Sequence, residues 1–329
     1  MERQEKYHEK LYDKSLTTYE AYRNLIKKTR EILGKDMYIL SCSGEKHPNI
    51  TWAADIFDAA RIGGDIFTWD EFSNNCVRRV TEFYHLHNIL LYNDPDNIVL
   101  REEFNTYSQA VSRATFVSML GLPITFGDEL YNLSEERVEI IKRTIPSLDI
   151  RPLDFSTDVT EDSILVTDLC IGKSWENYNV VSIFNTLQND NEYTLDLDDG
   201  EYLLYDFWRK KYLGCVTGEL NLKLNPCETR VISIRKKRNT PQIVSTNRHI
   251  TQGAAEIINM EYKNSEINLK VNLVKNDEYK IFLHIPQGFT LKSADRFNVS
   301  KDGDLTCLSY TPGTTDIYSF KIIFQKNFR

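Results

Sequence analysis

The sequence predicts an α/β region followed by an all-β region: the C-terminal half of a (β/α)8 barrel, then an antiparallel β-sandwich. Three observations predict it. Short apolar runs alternate with segments of helical periodicity before Pro146, the pattern of βα units and a parallel sheet. After Pro146 the helical period stops, and short aromatic and β-branched runs separated by turn residues take over, as in a sandwich. Finally, the first region holds about four βα units, half of what a closed barrel of about 250 residues contains.

The 329 residues are too many for one ordinary core, so more than one domain is expected. The composition, 41% hydrophobic with 12% aromatic, is that of a folded globular chain. A net charge of −8 argues against nucleic acid as the main partner, because a phosphate backbone is met with Lys and Arg. The basic run Arg235 to Arg238 reads as a solvated strand end before a linker. Six scattered cysteines form no CxxC pair, so free thiols in a reducing compartment are expected, with one or two disulfides as the alternative. The charged start shows no signal peptide, and no apolar run is long enough to span a bilayer. The compartment stays open.

The elements follow in order. Thr17 and Glu20 form a capping box, ahead of apolar positions at helical spacing through Ile32, and Gly34 ends that helix. Met37 to Cys42 reads as a buried strand. A helix is expected over Asn74 to His87, a strand over Ile89 to Tyr92, and a helix capped by Thr106 and Gln109 that ends at Gly121. Pro123 to Phe126 is the next strand, and Ser134 caps a helix that Pro146 ends. The sandwich strands are Tyr178 to Phe184, Glu192 to Leu197, Glu201 to Trp208 and Arg230 to Ile234. Beyond a linker at Arg238 to Gln242, Ile267, Leu269, Val271 and Leu273 alternate strictly, and Tyr279 to Ile285 follows as another strand. The expected domains are 1–149 (half-barrel), 150–238 (sandwich) and 239–329 (a further small β unit).

In a parallel barrel, chemistry collects where strands end and βα loops begin. Four stretches fall there: Cys42 to Glu45, Arg61 to Asp65, Asn93 to Asp96, and Gly127 with Asp128. Each suits a polyhydroxyl ligand. The loop from Asp58 to Trp69 combines an arginine, two glycines, a carboxylate and a tryptophan. It marks Asp65 as the general acid/base of a retaining glycoside hydrolase, whose two carboxylates stand about 5–5.5 Å apart. Arg61 can fork onto a sugar hydroxyl and balance charge. Structural roles compete with these: an Arg61–Asp65 salt bridge, Asp94 as a turn cap, Cys42 as a small buried hydrophobe, Asp128 as a loop residue, and Trp69 as core rather than sugar platform. His47, His85 and His87 make no convincing metal set, and no cofactor is expected.

Arg61-Ile62-Gly63-Gly64-Asp65, Asn93-Asp94-Pro95-Asp96 with its continuation to Arg101, and Cys42 on the preceding strand together resemble the α-galactosidases of glycoside hydrolase family 36. Family 27 shares the arginine-to-aspartate spacing and the Asn-Asp-Pro-Asp turn. The resemblance covers residues 17–150. It implies an exo-acting retaining α-galactosidase acting on α-galactoside oligosaccharides or glycoconjugates. Asp65 would be acid/base, with Arg61, Cys42 and Asp96 binding the sugar and Asp58 at a matching acidic position. Ser43, small and next to Cys42, hints at room for an N-acetyl group. The chain departs from the pattern in one respect. The family's nucleophilic aspartate ends a buried strand in a Lys-aromatic-Asp setting, whereas Lys10 to Asp13 follows a highly charged stretch. The nucleophile is therefore expected upstream of this chain, and a non-catalytic carbohydrate-binding remnant is the alternative. A membrane is not an expected partner; a homo-oligomer is compatible with the reading.

Overall fold

The computed structural model describes residues 8–42, 53–155 and 164–327. The chain forms two compact units, Met1–Val99 with Leu122–Gly127, and Leu100–Gly121 with Asp128–Arg329.

The first unit is built on a small parallel sheet of order β1-β2-β3: Leu40–Ser41, Ala59–Arg61 and Tyr92–Asp94. Ser41 pairs with Ala60, Ala60 with Asn93, and Arg61 with Asp94, so the strand ends are level. A parallel bridge between Ile98 and Phe126 follows. The strands are shorter than the apolar runs suggested. Of the run Met37 to Cys42 only two residues pair, and Met37 and Tyr38 are exposed. The strand expected at Ile89 starts at Tyr92, with Ile89 and Leu90 left in solvent. The strand expected at Pro123 reduces to the Phe126 bridge. β2, paired on both sides, is as short as its neighbours, so the ladder is limited by how far the three segments run side by side.

The helix α1, Thr18–Leu33, starts at the capping box: Glu20 N–H donates to Thr17 Oγ1 at 3.2 Å and Thr17 N–H to Glu20 at 2.8 Å. It ends at Gly34, whose φ of 82° suits a residue without Cβ. Although amphipathic, α1 contains no buried residue. Arg23 and Arg30 tie it down instead, on Asp55 and on Asp58 and the Ile56 carbonyl. The helix expected from Asn74 begins earlier, at a second capping box between Thr68 and Glu71. The turn α2, Trp69–Glu71, runs into a π-helix over Phe72–Val77 and then α3, Arg78–Phe83.

The second unit contains α4, Tyr107–Met119, and α5, Glu135–Thr144. The Thr106–Gln109 box caps α4, which is buried from Ala110 to Met119. Its small residues allow close approach: Ser112 donates to the Cys227 carbonyl and accepts from Thr229. Ser134 precedes α5 without a side-chain cap.

Behind these helices lies a six-stranded antiparallel sheet of order β4-β5-β6-β11-β8-β9. Its strands are Asp154–Phe155, Ile164–Lys173, Glu176–Asn185, Thr229–Lys236, Tyr202–Asp206 and Lys211–Val216. Period-2 alternation splits its faces. Val180 and Val231 pack towards Met119, whereas Val181 and Ile232 pack against the two-stranded sheet β7 (Asn191–Asp196) and β10 (Glu219–Leu224). Two four-stranded sheets follow, of order β12-β15-β18-β17 and β13-β14-β19-β16. The strands β12 to β19 run Gln242–Thr246, Ile257–Lys263, Glu266–Leu273, Tyr279–His284, Phe289–Ala294, Asn298–Asp302, Leu305–Tyr310 and Asp316–Lys326. Ile267, Leu269, Val271 and Leu273 all point into the core between these sheets, as their alternation predicted.

The basic run corrects one expectation. Lys236 is exposed, but Arg235 is fully buried, paired with Glu176 and stacked 3.6 Å above the Tyr178 ring. It sits at an inward position of β11, and a buried guanidinium persists only with such partners. All six cysteines are free thiols.

His249 is also fully buried. The Thr251 N–H donates to its Nδ1 at 3.2 Å, and its Nε2 faces the Thr144 carbonyl at 3.3 Å. This is the bonding of a neutral ring protonated on Nε2. Burial pushes its pKa down to about 4. As pH falls, the unfolded chain takes up this proton first. The contribution is present above the ordinary value and is lost between about 6.5 and about 4, by about 1.4 kcal/mol per pH unit. Urea unfolding across that window should show stability declining with acid, and His249→Gln should flatten the slope; an unchanged slope would mean other groups dominate.

In the first unit Leu25, Ile32, Met37, Tyr38 and Ile89 are all more than half exposed. Exposed apolar surface of this kind drives association. The chain should bind a hydrophobic dye and sediment as concentration-dependent oligomers; a dye-silent, monodisperse monomer would contradict this.

Candidate active site

The site forms at the C-terminal ends of the parallel strands, around Arg61. This guanidinium is 13% exposed and meets three carboxylates: Nε to Asp94 at 3.2 Å, Nη1 to Asp65 at 3.3 Å and Nη2 to Asp96 at 2.5 Å. The register of β2 and β3 accounts for the first contact, since Arg61 and Asp94 are paired residues. The turn after β3 accounts for the third. Asp94 accepts the Asp96 N–H at 2.9 Å, and Asp96 adopts a left-handed φ of 76°. This folds the Asp96 carboxylate back over the strand end, where its second oxygen accepts the Ile66 N–H at 3.0 Å.

Asp65 differs from the other two. Asp94 and Asp96 are buried, whereas the Asp65 side chain is 83% exposed. It is the carboxylate a ligand can reach. Burial alone would lower the Arg61 pKa; the nearby Asp94 and Asp96, aided by Cys42, more than offset it and hold the guanidinium above its ordinary value. Burial raises the Asp96 carboxyl, with Asp94 adding repulsion, against the Asn97 and Ile66 N–H groups and Arg61. One guanidinium thus faces three carboxyl groups, and the excess negative charge suits a ligand rich in hydroxyl donors or a group that gains a proton.

The loop carrying Asp65 is held by the π-helix. Asn75 Nδ2 donates to the Asp65 carbonyl at 3.0 Å, and a Cβ on Gly63 would lie 1.8 Å from the Asn75 carbonyl oxygen. Single π-turns of this kind are frequent at functional sites. Gly63 is thus required by contact rather than by conformation.

The structure gathers Arg61, Asp65 and Asp96. Cys42 is exposed, follows β1 at the same end of the sheet, and acts electrostatically on Arg61. Asp58 lies elsewhere, before β2. There its carboxylate accepts the Ile39 N–H and Arg30, each at 2.7 Å. Burial would raise its pKa, but Arg30 and that N–H bring it below the ordinary value. Asp58 thus clips α1 and β1 to β2 rather than joining the cluster.

Asp94 caps its turn, as its Asp-Pro context suggested, and is also a full member of the ion cluster, which sequence alone did not reveal. Trp69 is core, packed on Phe72 at 5.3 Å. Asp128 is buried, accepting the Leu100 N–H and pairing with Arg101 at 3.4 Å. Asp13 is an exposed turn residue bonded to Ser15. Ser43, Gly44, Glu45 and His47 lie outside the described residues.

No family model matches the sequence. Among solved structures, the chain is similar to a family 27 β-L-arabinopyranosidase from Geobacillus stearothermophilus, at a TM-score of 0.54 and 15% identity over 67% of this chain and 54% of that one. A putative α-galactosidase/melibiase from Bacteroides fragilis gives a TM-score of 0.51 and 15% identity over 66% and 50%. A second putative α-galactosidase from that organism gives 0.50 and 15% over 67% and 52%. The likeness is one of fold: a partial (β/α)8 barrel followed by a β-sandwich. The chain spans about half the length of these matched structures.

Because the Gly63 position has no room for a Cβ, Gly63→Ala should shift the Asp65 loop and destabilise the first unit by about 1–3 kcal/mol, the usual cost of overpacking. Denaturant unfolding and amide exchange around Asn75 would detect it. An unchanged midpoint would place the π-helix further from the loop than described.

Proposed function

We propose that the chain is the C-terminal part of a retaining exo-glycosidase of the α-galactosidase type. Its substrate would be a terminal α-galactoside of an oligosaccharide or glycoconjugate. The observation that carries this is Asp65: the exposed carboxylate of the Arg61 cluster, at the strand ends of a fold shared with glycosidases. Asp65 acts as acid/base. Arg61 holds it in place and, with Cys42, lines the sugar subsite, while the buried Asp96 anchors Arg61. The nucleophile belongs to polypeptide outside this sequence. α-N-Acetylgalactosaminidase specificity is a variant of the same reading.

A second reading is a carbohydrate-binding remnant without turnover. It is supported by the chain spanning about half of the matched enzymes. Binding of galactose with no hydrolysis by any form that carries a completed barrel would favour it.

Asp65→Asn in such a completed form tests the catalytic reading. A general acid contributes about 10²–10⁴-fold when the leaving group is poor. Turnover of raffinose should therefore fall by that order, while an activated nitrophenyl α-galactoside, which needs no proton, should lose far less. Equal losses on both substrates would remove Asp65 from the acid role.

A further inference from the structure

The second unit contains a cavity of ≈ 670 Å³ that the Arg61 cluster does not touch. Its walls come from α4, α5, β8 and the turn after it, β15, β17 and β18. The volume is within the range of about 300–1,000 Å³ typical of small-molecule sites, and larger than one sugar ring needs.

Two aromatic residues stand at this cavity with surface to spare. Tyr107 is 40% exposed. Trp208 is partly exposed, and its indole N–H is committed to Thr115 Oγ1 at 2.9 Å, so the ring is what it offers a ligand. Deeper in the wall, Tyr205 stacks on Phe282 at 4.6 Å. The Tyr205 hydroxyl is buried with no hydrogen-bond partner among the described residues. A buried hydroxyl in that state calls for a functional explanation. Asp302 and Cys307 are the lining groups that act on it electrostatically.

The charges discriminate between ligands. Five basic side chains and four carboxylates line the cavity. Arg143 is paired with Glu139 and Asp277, and Lys280 with Glu278. Lys142, Lys210, Lys301 and Asp302 have no ion pair among the described residues. With four carboxylates beside five basic groups, the lining offers donors and acceptors side by side, which is what hydroxyl groups require, next to aromatic faces that accept the apolar face of a pyranose.

We propose that this cavity is a second binding site for a neutral oligosaccharide, separate from the Arg61 cluster. The choice of ligand rests on the glycosidase reading; the site itself does not.

Stachyose, titrated into the full chain, is the probe. A saturable change in tryptophan fluorescence is expected, absent in Trp208→Phe. Tyr107→Ala and Lys210→Glu should each weaken binding at least fivefold, with circular dichroism and calorimetry showing native folding. The Trp208-dependent signal should be the same in Asp65→Asn as in the wild type. Failure of the glycosidase reading would appear as missing turnover by a form that carries a completed barrel, with this binding intact. A fluorescence response that survives Trp208→Phe, loss of binding in Asp65→Asn with Tyr107→Ala unaffected, or no saturable binding by fluorescence or calorimetry would each overturn the inference.

Discussion

The candidate site depends on one guanidinium. Arg61 is nearly buried, and it persists there because Asp94, Asp96 and Asp65 surround it. Removing one partner from a buried ion cluster typically costs about 3–5 kcal/mol, since the remaining charge stays desolvated. The cluster therefore constrains its surroundings. It fixes how β2 meets β3, holds the turn that puts Asp96 in left-handed backbone, and sets where the Asp65 loop begins. That loop in turn needs Gly63 against Asn75, and so the π-helix that brings the Asn75 carbonyl close.

The two units draw on different sources of stability. The second has conventional cores: β14, β15, β18 and β19 supply most of a cluster of fully buried Ile, Leu, Val and Phe side chains, each contributing about 1.5–3 kcal/mol. The first unit has a smaller store. Its strands are two or three residues long. α1 rests on Arg23, Arg30 and partly buried Tyr22 and Ile26. Polar clips such as Arg30–Asp58 anchor α1, while Ile62, Phe72, Val80 and Ile98 are packed in the same unit's interior, each 2% exposed or less.

Local signals were read well from the sequence where the interaction is local. The Thr17–Glu20 and Thr106–Gln109 boxes, the glycines at 34 and 121, and the alternation at Ile267 to Leu273 all act within a few residues. The site was legible in part, because Arg61 and Asp65 lie on one loop and Asp96 on a recognisable turn. Asp94 was not read as a member, because a residue that caps its own turn looks fully employed until the register shows what lies opposite. Arg235 looked solvated because it sits in a basic run; only the strand's inward face and Glu176, far away in sequence, show otherwise. Asp58 looked like a ligand group for the converse reason, since its partner Arg30 lies on a different element.

By itself the sequence determined the order of architecture, parallel βα units and then antiparallel sheets, because hydrophobic period and turn residues act over short distances. It also pointed to the loops that meet at Arg61, since strand ends and their acidic and basic residues can be counted along the chain. Tertiary structure decided the rest: how short the parallel strands are, which carboxylates share Arg61, which one remains open to solvent, and that α4 and α5 help the β-strands enclose a separate cavity. Those outcomes rest on pairings between residues tens of positions apart, whose energies no local pattern records.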